Sequence, residues 1–220
     1  MQSYCLVSDV TRALAQIEAI HDQMARAGIY RGWRSLPVAL SGLIGLVAAA
    51  WQSASAGPID PVGFTAYWSI VAIVAIAVGC SEIVWHYLLH ANESERRRSR
   101  QVIGQFLPAL VAAALFTAAF VRSTPALAAL LPGLWALCFG VGIFAARPYL
   151  PWASQLVAAY YWVVGIGLLW MAGGALSPWA VGGTFGAGQL AGAATLYFTL
   201  ERPGRREERQ EQRSDPLDEV

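Results

Sequence analysis

Charge is scarce in this chain. Only 13% of its 220 residues are Asp, Glu, Lys or Arg, while 56% are hydrophobic. A soluble domain of this size needs a polar surface and cannot go without charge over long stretches. Lysine is absent, so all 15 cationic side chains are arginine. Histidine and cysteine number 3 each. Three histidines are too few for a di-iron membrane hydroxylase or desaturase. An odd, unclustered set of Cys5, Cys80 and Cys138 argues against a disulfide framework. The chain also lacks a His-Glu-x-x-His zinc motif, a phosphate-binding glycine loop and a Gly-x-Ser-x-Gly elbow. The case for an enzyme is poor, and no reaction can be named. No basic patch is interleaved with aromatics, which excludes nucleic acid as a partner. Residues 1–30 hold no apolar core of a cleavable signal peptide.

What is present is length without charge. Charge-free intervals run over 35–59, 101–121, 123–146 and 148–200. A helix needs about 20 apolar residues to cross a hydrocarbon core of roughly 30 Å. The last interval is too long for one crossing and must turn back, at the turn-forming residues Gly173 to Pro178. A further span begins near Thr65 and carries Glu82. The reading is an all-α, polytopic membrane protein with six transmembrane helices, at about 36–53, 66–90, 102–121, 124–145, 152–173 and 178–199. Helices are expected because backbone amides in lipid must be satisfied within their own segment.

The arginines orient the chain. Arg12, Arg26, Arg31 and Arg34 precede the first span. Arg96, Arg97, Arg98 and Arg100 lie between spans two and three, Arg147 between four and five, and Arg202, Arg205 and Arg206 after six. Only Arg122 falls in the opposite loops. Positive-inside bias then places both termini in the cytoplasm. Trp33, Trp51, Trp68, Trp152, Trp170 and Trp179 sit near span ends, where an indole suits the interface.

Three regions follow: 1–34, 35–200 and 201–220. In the first, Val7, Val10, Leu14, Ile17, His21 and Met24 form a heptad seam on an amphipathic cytoplasmic helix. It is expected to dock on the bundle, pair with a second copy or lie at the interface. The second is the six-helix membrane domain. The third is a polar cytoplasmic tail that follows the break at Pro203-Gly204.

Within the membrane domain, Gly182, Gly186, Gly188 and Gly192 make small-residue patterns on the sixth span. Such faces let backbones approach closely, and packing drives helix association in lipid. They serve either internal bundle packing or an oligomer face. Pro108 and Pro132 are expected inside the third and fourth spans, where they would kink the helix. Gln105, Gln155 and Gln189 are candidate substrate-binding residues framing a pocket.

One polar constellation stands out. Glu82, His86 and His90 are four residues apart in turn and share a face of the second span. An ionisable group in lipid costs on the order of 2.5–3.5 kcal/mol on insertion scales, which makes Glu82 a functional candidate. Three readings stay open: a hydrogen-bonded structural group, a divalent metal site completed by His21 or Cys5, and proton or substrate handling by Glu82. Haem is not expected, because two histidines on one helix face cannot occupy opposite axial positions.

A resemblance extending over nearly the whole chain is carried by the strings SGLIGLVAAA (Ser41–Ala50), RRRSRQVIGQFLPALVAAALFTAAFVR (Arg96–Arg122), LPGLWALCFGVGIFAAR (Leu131–Arg147) and FGAGQLAGAATLYFTLER (Phe185–Arg202). They resemble a group of uncharacterised bacterial six-helix inner-membrane proteins with an amphipathic amino-terminal helix. The resemblance implies that architecture and no activity, and Glu82, His86 and His90 lie outside its pattern. The leading expectation for function is a non-enzymatic protein acting by association, as a homo-oligomer or an accessory subunit of a membrane complex. The alternatives are small-solute transport or substrate capture, and a metal or proton site on the second span.

Overall fold

A helix that is apolar on every side belongs in lipid or in the core of a large protein. The computed structural model builds the chain from such helices. It describes residues 35–55, 60–89, 93–171 and 176–202, side chains excepted over 82–89 and 93–99. The amino-terminal seam and the tail from 203 onward lie outside the described residues. All regular structure among those described is helical: α1 (Ser35–Ala54), α2 (Pro61–Leu89), α3 (Glu93–Ser123), α4 (Leu131–Ala145), α5 (Ser154–Trp170) and α6 (Pro178–Leu196). Short 3-10 segments at Pro125–Leu130 and Arg147–Tyr149 flank α4, and a π-helical turn, Tyr197–Glu201, extends α6. Among the described residues, four stretches are long and apolar enough to cross a membrane: Ser35–Ala54, Pro61–Ser81, Arg100–Ser123 and Pro125–Ala145.

Local chemistry sets the boundaries. Asp60 caps α2, its Oδ2 accepting the Gly63 N–H at 2.7 Å, and Pro61 follows where a missing N–H costs nothing. Pro178 opens α6 in the same way after an extended Ser177. Pro132 does likewise for α4, so it begins a helix and does not kink one. The 3-10 turn ahead of it, Pro125–Leu130, runs directly into α4, and the two together make the candidate span Pro125–Ala145. Pro108 does lie inside α3.

Packing runs around a ring. The closest pair is α1 with α6, antiparallel, since Gly42 meets Gln189 and Gly45 meets Gly182. Next is the α4–α5 hairpin, where Gly133 and Gly165 face each other. α2 packs on α1, with Tyr67 donating its hydroxyl to the Ala48 carbonyl (2.9 Å) and the Trp68 indole donating to Gln52 Oε1 (2.8 Å). α3 packs on α4, where the Trp135 indole donates to Thr117 Oγ1 (2.8 Å). Tyr160 joins α5 to α6 through the Thr184 carbonyl (3.0 Å). The loosest join between neighbours in the ring is α2 with α3.

Two apolar clusters fill the interior, one around Val102, Ile143, Val157 and Tyr161, the other around Ala49, Phe64, Trp68 and Val181. Phe185 packs against both. At one end of the bundle the Ser35 N–H donates to Glu201 Oε1 at 2.6 Å, joining the start of α1 to the end of α6. A carboxylate there satisfies an orphan donor and complements the positive end of the helix.

Candidate functional site

The glycines of α6 are spent inside the chain. A Cβ at Gly182 would strike the Gly45 carbonyl and Ala49, and one at Gly188 would strike the Tyr161 ring. A Cβ at Gly186 would come within 2.5 Å of Leu46 Cγ. Gly192 is looser, 3.9 Å from Val38. Close backbone approach is therefore an internal device in this helix, and it draws α1 and α6 together.

On the other side of the ring the small residues have no such partners, and a slot remains. It measures about 730 Å³ and is lined from all six helices. Along α2 the lining runs from Val62 to Cys80, a rise of about 27 Å at ~1.5 Å per residue. Along α3 it runs from Val102 to Val121. The large apolar residues that both line the slot and stand exposed come from α2 and α3, namely Val62, Ile73, Ile76, Ile103 and Leu107. These mark its mouth. The slot thus opens sideways between the two helices that meet least.

Its floor is aromatic. Phe139 stacks edge-on against Phe106 (5.1 Å between centroids) and Phe185 (5.5 Å), and tilts against Tyr161 (4.9 Å). These rings come from α3, α4, α5 and α6, so the floor is pinned by four helices. Edge-to-face contact suits the ring quadrupoles and fixes the rings in place. Trp68 and Trp135 line the slot nearer the opposite end from Ser35, their indole N–H groups already committed to Gln52 and Thr117.

Among the described residues the polar lining is sparse and neutral. Thr65 and Ser69 hydroxyls donate back to Pro61 and Thr65 carbonyls within α2, and the Ser41 hydroxyl to the Val38 carbonyl in α1. Gln189 lines the slot from α6, beside Gly42, and Gly79 of α2 comes to the level of Ser41. Ser41, Cys80 and Gln189 therefore mark one polar level, about 9 Å in from Ser35 at ~1.5 Å per residue. Cys138 also lines the slot, and Cys80 and Cys138 are both free thiols.

The three candidate glutamines do not converge. Gln189 reaches the slot, while Gln105 on α3 and Gln155 on α5 are exposed and stand outside its lining. Glu82 and His86 lie on the described backbone of α2, their side chains outside the described residues, as are His90, His21 and Cys5 altogether. The register of α2 against α1 puts Glu82 one turn beyond Gly79, toward the end that holds Ser35. Among the described residues no three His, Cys, Asp or Glu gather into a metal-binding group.

The sequence pattern did not point to the slot. Its signal was weak but present: Ala109, Ala113, Ala114 and Ala118 give α3 a row of small side chains with no glycine of a neighbour to meet them. Chemically, the described lining offers contact area, several hydroxyls, two thiols and one amide, and no acid–base pair. Compared with protein-family models, with curated proteins and with solved structures, the chain matches none of them.

Proposed function

We propose that this protein is a six-span bacterial inner-membrane protein, both termini cytoplasmic, that captures an apolar molecule from the bilayer and holds it without chemical change. The observation that carries this reading is the slot of about 730 Å³, which opens sideways between α2 and α3. That size falls within the usual range of small-molecule sites, roughly 300–1,000 Å³. A lateral mouth faces lipid, the phase in which an apolar molecule dissolves. The α5 and α6 helices, 17 and 19 residues long, rise about 26 and 29 Å, close to the ~30 Å of a hydrocarbon core. Arg100, Arg147 and Arg202 belong to one end of the bundle and Arg122 to the other, which supports the cytoplasmic assignment of the Ser35 end.

A second reading is association with copies of itself or with other membrane chains. It draws on α3, the least buried of the candidate spans. The glycine face of α6 no longer motivates it, being covered by α1 and α5.

A native mass spectrum of the protein released from mild detergent tests both. The capture reading expects a single chain plus the mass of an apolar molecule, an increment lost when Ala113→Trp fills the slot. A bare monomer overturns it. A multimer or an added polypeptide with no small-molecule increment transfers the function to association.

A further inference from the structure

The shape of the slot narrows the ligand. Resting on the capture reading, we infer that the occupant is one neutral hydrocarbon chain of about thirty carbons, its small polar head at the level of Ser41 and Gln189.

Length comes first. The lining follows α2 from Val62 to Cys80, about 27 Å at ~1.5 Å per residue. A lipid chain anchored at one surface is confined to its own leaflet, about half of the ~30 Å hydrocarbon core. The slot is nearly twice that, so an anchored acyl chain leaves its far half empty.

Volume comes second. A cavity of about 150 Å³ takes benzene, six carbons, so 730 Å³ takes roughly thirty carbons at the same filling. Spread over about 27 Å of helix rise, that volume has a mean cross-section near 27 Å², the width of one chain and not of two.

Charge comes third. Among the described lining residues there is no Asp, Glu or Arg, and the polar groups there are hydroxyl, thiol and amide. A phosphate or carboxylate head placed among them would be an unpaired charge in low dielectric. Gln189 offers both a donor and an acceptor, which suits a hydroxyl or carbonyl head.

Selection has to come from fit. Lipid tails are as apolar as the slot, so entry gains nothing from the hydrophobic effect, and packing against Phe106, Phe139 and Phe185 with the Gln189 contact must decide.

The test uses the full chain in nanodiscs of dioleoyl phosphatidylcholine, titrated with radiolabelled farnesol (fifteen carbons), hexaprenol (thirty carbons, one hydroxyl) and squalene (thirty carbons, no hydroxyl). Binding is read as excess over empty nanodiscs at equal mole fraction. Hexaprenol is expected to saturate at one per chain and at least ten-fold tighter than farnesol. Gln189→Leu is expected to weaken hexaprenol several-fold while leaving squalene unchanged. Equal, saturable binding of farnesol and hexaprenol overturns the inference and leaves the capture reading standing. Saturable binding with no Gln189→Leu effect on hexaprenol overturns the head placement. No saturable binding of any probe overturns the inference, and an absence of copurified small molecule in the native spectrum then removes the capture reading as well.

Discussion

Two regions of this bundle are built from equally small residues and end in opposite states. Along the α1–α6 and α4–α5 seams, glycine faces glycine, and a Cβ added at Gly133 would lie 2.8 Å from the Gly165 carbonyl oxygen. Along α2 and α3, alanines face a slot. Small side chains close an interface only when the opposite backbone comes to meet them. Where it does not, the same composition leaves a void that lipid or a ligand fills.

The comparison breaks most severely at Gly182. Gly182→Leu would drive its side chain into the Gly45 carbonyl, Ala49 and Trp68, with backbone on one side and a hydrogen-bonded indole on the other. The expected cost is at or above about 3 kcal/mol, the upper end for overpacking. It should appear as loss of a monodisperse peak on size exclusion and a collapse of thermal stability in detergent. On the open side, Ala113→Leu should cost less than about 1 kcal/mol by the same assay, because its neighbour there is the slot. Equal losses at the two positions would mean that the slot is closed in the folded protein.

A smaller effect is expected where a hydrogen bond joins α3 to α4. Trp135→Phe removes the donor to Thr117 and should cost about 0.6–1.5 kcal/mol, with the α1–α6 seam unaffected. Cysteine labelling at Cys138, read in a Cys5→Ser, Cys80→Ser background, should stay unchanged in that variant and fall when hexaprenol is bound.

The finest comparison lies within one helix. Gly165 and Gly167 are two residues apart on α5. A Cβ at Gly165 would lie 3.0 Å from the Gly133 carbonyl, while Gly167 has nothing within 4 Å. Gly165→Ala should destabilise by about 1–3 kcal/mol. Gly167→Ala should be neutral or stabilise by up to about 1 kcal/mol through helix propensity. Thermal melts of the pair in one detergent check both signs. The same sign for both would show that the α4–α5 seam is looser than its backbone spacing indicates.

The six helices were legible because charge marks where apolar runs stop. Asp60, Arg122 and Arg147 each fall beside a helix end. Pro132 misled, because an apolar run cannot show whether its first residues are α-helical or a 3-10 turn. The pairing of α1 with α6 was not readable. When lipid-facing and core-facing positions are both apolar, no periodicity separates them, and only Gly42, Gly45, Gly182 and Gly186 hinted at the seam. The slot was hidden for the same reason. Of the glutamines, polarity alone picked out three, but which way a side chain points depends on helix rotation. That rotation brings Gln189 alone to the slot and leaves Gln105 and Gln155 exposed.

The contact between the Ser35 N–H and the Glu201 carboxylate makes the bundle a circle with no privileged starting point. A chain joined from Arg202 to Ser35 by a short flexible linker and cut between Leu89 and Glu93 would present the same six helices in a permuted order. Its new ends would fall at the loosest join of the ring, where few contacts are lost. A cut between Ala54 and Pro61 would instead fall between α1 and α2, which Tyr67 and Trp68 bind together. The first permutant should fold with a wider slot and the second with a weaker core, so that the order of the helices along the chain, though not their arrangement in space, is free to change.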